Sequence, residues 1–174
     1  MVPKRRYTVG CLLAGMDEEL ERLIWPALEQ QARSYDINLI YLPGSPLHIP
    51  YDYKFQNNII YNFLNPEIFD GLIVDSVTIT NYLNQNERET FFKGLPQVPL
   101  VSIGRSDSED NSVTCNNYQA MNLAMDHMIK EHGYKNILFL AGTEENIFAR
   151  ERYRAYRDTL QKYDIPFRPE LVVH

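Results

Sequence analysis

From Tyr7 to Ala14 the chain is almost continuously apolar, the pattern of a parallel strand covered on both faces. It stops at Gly15. Asp17 can then cap a helix whose first turn carries Glu18 and Glu19, and Leu20, Leu23, Ile24, Ala27, Leu28, Ala32 and Tyr35 recur at helical spacing. Pro26 interrupts the repeat, so this helix is expected to kink there or to begin near Trp25. Ile37 to Leu42 reads as a second strand, followed by a punctuated polar stretch, PGSPLHIPYDY, expected to be exposed. Phe55, Ile59, Ile60 and Phe63 mark the apolar stripe of the next helix, which Asn65 and Pro66 stop.

The alternation continues. FDGLIV forms a third strand with Asp75 and Ser76 at its carboxyl end, and a helix capped by Thr80 is predicted to run through Phe92, with Gly94 in the C-cap position. Val98 to Ile103 is a fourth strand, Ser106 to Asn111 an acidic turn and Ser112 to Cys115 a short fifth strand. Asn116 and Asn117 precede a helix with Met121, Ala124, Met125, Met128 and Ile129 on one face, closed by Gly133. Ile137 to Ala141 is a sixth strand, Phe148, Tyr153, Tyr156, Leu160 and Tyr163 stripe a last helix, and LVVH begins another strand. Strands alternating with helices predict an α/β fold, a mostly parallel, doubly wound sheet flanked by helices. Ligands bind such sheets at the carboxyl ends of their strands.

Composition narrows the function. Seventeen basic against twenty-three acidic residues give a net charge of -6, which disfavours direct contact with nucleic acid. The row Arg150, Arg154 and Arg157, interleaved with Tyr153 and Tyr156, is therefore read as a solvated helix face. The run after Lys4, Arg5 and Arg6 is short and acidic residues follow it, so it reads as a first strand and not a leader; no stretch is long enough for a membrane span. Cys11 and Cys115 sit in strand-like contexts without disulfide or zinc spacing, as buried reduced thiols of a cytoplasmic protein would.

Candidate chemistry is sparse. Asp75 sits where a receiver domain carries its phosphoacceptor, but the end of the first strand, LLAG, supplies none of the carboxylates a magnesium ion needs. His127 and His132 are five apart and should point in different directions, so no metal site, resident cofactor or catalytic pair is expected. Signatures for dinucleotides, phosphates and nucleophile elbows are absent. Arg152 could fork onto vicinal hydroxyls or a carboxylate, or pair with Glu144 or Glu145; spacing leaves both open.

The ordered series VPLVSIG from Val98, VTCNN from Val113, AxxHMIxxHGYxxIxFLAG from Ala124 and RxxAY from Arg152 resembles the effector-binding domain of LacI/GalR-type regulators, a type I periplasmic-binding-protein-like fold. The likeness covers nearly the whole chain and is strongest from Phe69 to Leu171. The wording around ERYRAY and EHGYKNI is similar to versions used as sensors in bacterial signalling proteins. The resemblance implies an N-terminal lobe over residues 1–141, the beginning of a C-terminal lobe over 142–174, and an architecture incomplete at the C-terminus. It implies a sensor of a small polar effector, sugar-like or nucleoside-like, acting by inter-lobe closure. The protein would be a homodimer and no enzyme, with a DNA-binding, kinase or cyclase output outside this chain.

It also implies ligand-binding positions. Asn116 matches the family aspartate that faces the effector, keeping a hydrogen-bonding side chain without the charge, and Arg152 matches the arginine that holds ligand hydroxyls. Asp17 is the polar candidate of the loop GMDEEL, and Asp75 or Ser76 would approach from the third strand. Two other readings are carried alongside. Asp75 and Asp17 near neighbouring strand ends would suit an α/β enzyme, and the departures at Asn116 and GMDEEL would suit a dimerisation module with a vestigial cleft.

Overall fold

The computed structural model describes residues 5–16, 19–50, 53–104, 111–142 and 146–173. By its internal contacts the chain divides into two compact units, Met1–Thr114 and Cys115–His174. The boundary expected after Ala141 falls inside the second unit, because the helix before it packs on the helix that follows.

The first unit is built on five parallel strands in the order β2-β1-β3-β4-β5: β1 (Thr8–Leu13), β2 (Asn38–Pro43), β3 (Gly71–Asp75), β4 (Leu100–Ile103) and β5 (Asn111–Val113). Val9 lies opposite Leu39 on one side and Gly71 on the other, which makes β1 a central strand. Its apolar run therefore disappears from solvent, with Cys11, Leu12 and Leu13 fully buried. Asp70 fixes the amino ends of this layer, accepting from the Thr8 N–H at 2.9 Å and from Arg5 at 2.7 Å. Leu12, Leu42, Phe69, Leu72, Val74, Ile79 and Leu95 form the core.

Helix α1 (Glu19–Ser34) begins before Pro26 and carries that residue inside it. Several expectations fail in this unit. The segment Lys54–Phe63 is a 3-10 helix, not an α-helix. Its three-residue period brings Asn58, Tyr61 and Leu64 onto one side. Asn58 accepts from the Ser45 N–H at 2.7 Å, the Tyr61 hydroxyl donates to the Leu13 carbonyl at 2.9 Å, and Leu64 packs on the core. Of the apolar stripe Phe55, Ile59, Ile60 and Phe63, Ile60 packs on the core while Phe55, Ile59 and Phe63 are exposed.

The same contacts bury Ser45, so the loop after β2 is not simply a surface loop. The helix expected from Thr80 is in fact two: α2 (Ser76–Ile79) and α3 (Gln85–Gly94). Asn84, not Thr80, caps the longer one, in a reciprocal capping box with Glu87.

The second unit consists of α4 (Asn117–Lys130), β6 (Phe139–Leu140), α5 (Ile147–Lys162) and β7 (Val172–Val173). The sixth strand was expected to extend the first sheet; it pairs in parallel with β7 to make a separate two-stranded sheet. Met125, Ile137, Phe139, Tyr156, Leu160 and Ile165 form its core. The Tyr156 ring stacks on Phe139 with centroids 5.0 Å apart, and its hydroxyl donates to the Ile137 carbonyl at 3.0 Å. The helices are also tied at their surfaces, by Tyr118 donating to Asp158 at 2.7 Å and Lys162 to Asp126 at 2.9 Å.

Cys115 is exposed, contrary to expectation, because the strand before it ends at Val113. Among the described residues no helix is long and apolar enough to cross a membrane.

Candidate functional site

Asn116 lies just before α4 in a non-helical conformation, and its side-chain oxygen accepts the Gln119 N–H at 2.8 Å. This cap satisfies one of the amides that a helix start leaves unpaired. It also commits the oxygen of the residue expected to face a ligand, while the side chain as a whole stays exposed.

Asn146 caps α5 in the same way, accepting from the Phe148 and Ala149 N–H groups at 2.9 and 3.2 Å. That cap starts the helix whose second turn carries Arg152.

The Arg152 guanidinium is half-buried, and its Nη1 donates to the Asn117 side-chain oxygen at 2.6 Å. Asn117 in turn donates from its amide nitrogen to the Cys115 carbonyl at 3.2 Å. A chain of hydrogen bonds thus runs from the backbone before α4 through Asn117 to α5. A guanidinium carries five N–H donors in a rigid fork, so the single bond to Asn117 orients the group without using it up. What such a group can do is bind paired oxygens, either vicinal hydroxyls or a carboxylate. Of the two partners weighed for it in sequence, Glu144 and Glu145 lie outside the described residues.

Asp75 and Ser76 belong to the first unit, at the carboxyl end of β3 beside β1, where the strand order reverses direction and such sheets bind ligands. Both are buried. The Thr78 hydroxyl donates to the Asp75 carboxylate, the Ser76 hydroxyl donates to the Ile103 carbonyl at 2.7 Å, and the Thr80 hydroxyl donates to the Ser76 carbonyl at 2.7 Å. These side chains hold the strand tips together more than they present a surface. Burial first, and then the negative charge of Asp75, push the Cys11 thiol up to about 12 and raise the Tyr61 phenol. Asp17 lies outside the described residues.

The structure therefore brings Arg152 together with Asn117, the neighbour of the predicted Asn116. Sequence reasoning placed Asn117 beside a helix start but had no signal for its bond to a residue thirty-five positions away.

A second polar surface lies on α5. Arg150, Tyr153, Arg154, Arg157, Ile165 and Phe167 line an open groove of about 1080 Å³. Arg150, Arg154 and Arg157 are all exposed, as expected of a solvated face, and two of them also lie over aromatic rings, Arg154 4.6 Å from the Tyr118 centroid and Arg157 5.2 Å from that of Phe167.

No family model matches the chain, and no curated protein matches it. Solved structures do. The transcription regulator CcpA of Lactococcus lactis superposes with a TM-score of 0.72 at 22% identity, over 97% of this chain and 58% of that one. A LacI family transcriptional regulator from Mycobacterium smegmatis gives 0.74 at 16% identity, over 95% and 55%. A putative ribose operon repressor from Burkholderia thailandensis gives 0.72 at 19% identity, over 97% and 60%. The chain thus spans less than two thirds of the length of the structures it matches. At these identities the likeness is one of fold: nearly all of this chain has the α/β architecture of the corresponding part of LacI-family transcriptional regulators.

Proposed function

We propose that the chain is part of an effector-sensing domain of a bacterial LacI-family regulator or a related signalling protein. The effector is a small polar molecule, sugar-like or nucleoside-like, and its binding closes the lobes and biases a separate output. A ligand moves such an equilibrium only through tighter binding to one state. The protein acts in the cytoplasm as a homodimer; the exposed stripe of Phe55, Ile59 and Phe63 supports association with a second copy.

The observation that carries the reading is the half-buried Arg152 fork, pinned by Asn117, in a chain that shares this fold.

The test uses the complete protein and a panel of pentoses, hexoses and nucleosides in thermal-shift measurements, followed by calorimetry on the best ligand. A saturating ligand raises stability by mass action. Arg152→Ala is expected to weaken that ligand's binding at least tenfold, since a charged hydrogen bond is worth about 1.5–3 kcal/mol. Unchanged affinity removes Arg152 from the site, and a panel in which nothing stabilises the protein rejects the sugar-like or nucleoside-like effector.

A further inference from the structure

His127 lies in the last turn of α4, which ends at Lys130. Gly133, at a φ of +68°, then turns the chain back on the helix: its N–H bonds the Ile129 carbonyl at 3.0 Å, and the Tyr134 N–H bonds the Met128 carbonyl at 3.2 Å. His132 is therefore not on the helix, and the helical spacing that should separate it from His127 does not apply. The two rings meet instead, with their Nε2 atoms 3.2 Å apart and their planes at 80°. Tyr134 stacks on the outer His132 ring at 5.3 Å, which limits the directions that ring can take. Both histidines are exposed.

We propose that this pair is a bidentate site for a divalent transition-metal ion of borderline softness. Imidazole nitrogens bind such ions at about 2.0–2.1 Å, so two nitrogens at the observed spacing would subtend roughly 100° at the metal, between the square-planar and tetrahedral values. In the metal-free pair one Nε2–H donates to the other Nε2. Binding requires both lone pairs, so the donating ring moves its proton to Nδ1 and both exposed rings rotate slightly to converge. Water completes the coordination, consistent with the lack of any cluster of three or more His, Cys, Asp or Glu among the described residues. Affinity follows the order of divalent ions for nitrogen ligands, Cu²⁺ above Ni²⁺ and Zn²⁺, while Mg²⁺ with its preference for oxygen does not bind. The position adds to the attraction, because the carboxyl end of a helix carries partial negative charge. The bound ion clips the closing turn to the last turn of α4.

The experiment titrates the full chain with Cu²⁺ by calorimetry and records the electron paramagnetic resonance spectrum of the complex. One ion with two equatorial imidazole nitrogens is expected. His127→Gln and His132→Gln should each weaken binding at least tenfold and reduce the nitrogen count to one, whereas His48→Gln leaves both unchanged. As the two histidines are exposed, the variants keep their fold, which circular dichroism checks. Retained Cu²⁺ affinity in both variants, or a single coordinating nitrogen in the unsubstituted chain, overturns the proposal.

Discussion

Strand β4 is followed by Gly104, whose φ is +84° and whose N–H donates to the Val113 carbonyl at 2.7 Å. A Cβ added there would stand 1.9 Å from Val77 Cγ2 and 3.3 Å from Val77 Cβ. Two separate costs follow for Gly104→Ala. The left-handed backbone disfavours an L side chain by about 1–2 kcal/mol. Displacing Val77, a β-branched residue with few rotamers, adds about 1–3 kcal/mol of overpacking. The sum is roughly 2–5 kcal/mol, a large part of a small domain's stability.

Gly133 provides the comparison, since its φ is also positive but a Cβ there meets nothing within 4 Å. Gly133→Ala should cost only the backbone share, about 1–2 kcal/mol. Gly94, in α3 and equally unobstructed, should gain about 0.5–1 kcal/mol as alanine. Urea unfolding of the three variants with unchanged slopes gives the differences directly. If Gly104→Ala proved no more damaging than Gly133→Ala, the close packing of the β4 tip on Val77 would be refuted.

Two further outcomes follow from buried groups. Cys11 is fully buried with its thiol held at about 12, and Cys115 is exposed, so a thiol reagent at pH 8 should modify one cysteine in the native chain and two in denaturant; two rapid native reactions would contradict this. Between pH 9.0, where an unburied Cys11 would ionise, and about 12, the folded state keeps a proton that the unfolded state has lost. Stability contributed by that proton is complete below the lower value and is lost as pH rises through the window, which alkaline unfolding curves of the chain and of Cys11→Ala should show. Tyr156→Phe keeps the stack on Phe139 but leaves the Ile137 carbonyl without its donor, a loss of about 1–2 kcal/mol in chemical denaturation. No measurable loss would mean that the carbonyl finds another donor.

Much of the fold is written in local patterns. The nearly continuous apolar run at Tyr7 to Ala14 has the pattern of a central strand, and the asparagines before α4 and α5 act as caps because short polar side chains reach back to free amides. The failures have equally specific causes. Phe55, Ile59 and Phe63 fit a helical stripe, but whether a segment winds at 3.6 or 3.0 residues per turn depends on Asn58 and Tyr61 finding Ser45 and Leu13, partners far away in sequence. The sixth strand looks like any other buried strand, and nothing local says which sheet receives it. At the candidate site, Arg152 was legible as a fork, whereas its orientation through Asn117 is a tertiary fact. The meeting of His127 and His132 was hidden because a periodic argument was carried past the last helical residue.

The hydroxyls of Ser76 and Thr80 stitch the end of β3 both to its neighbour and to the turn that follows. Adjacent strand ends joined in this way cannot slide past one another, so this edge of the layer behaves as a stiff anvil. Any motion the molecule makes in use must be taken up elsewhere, in segments free of such stitching, and cutting the Ser76 hydroxyl should soften the anvil before it disturbs the core beneath.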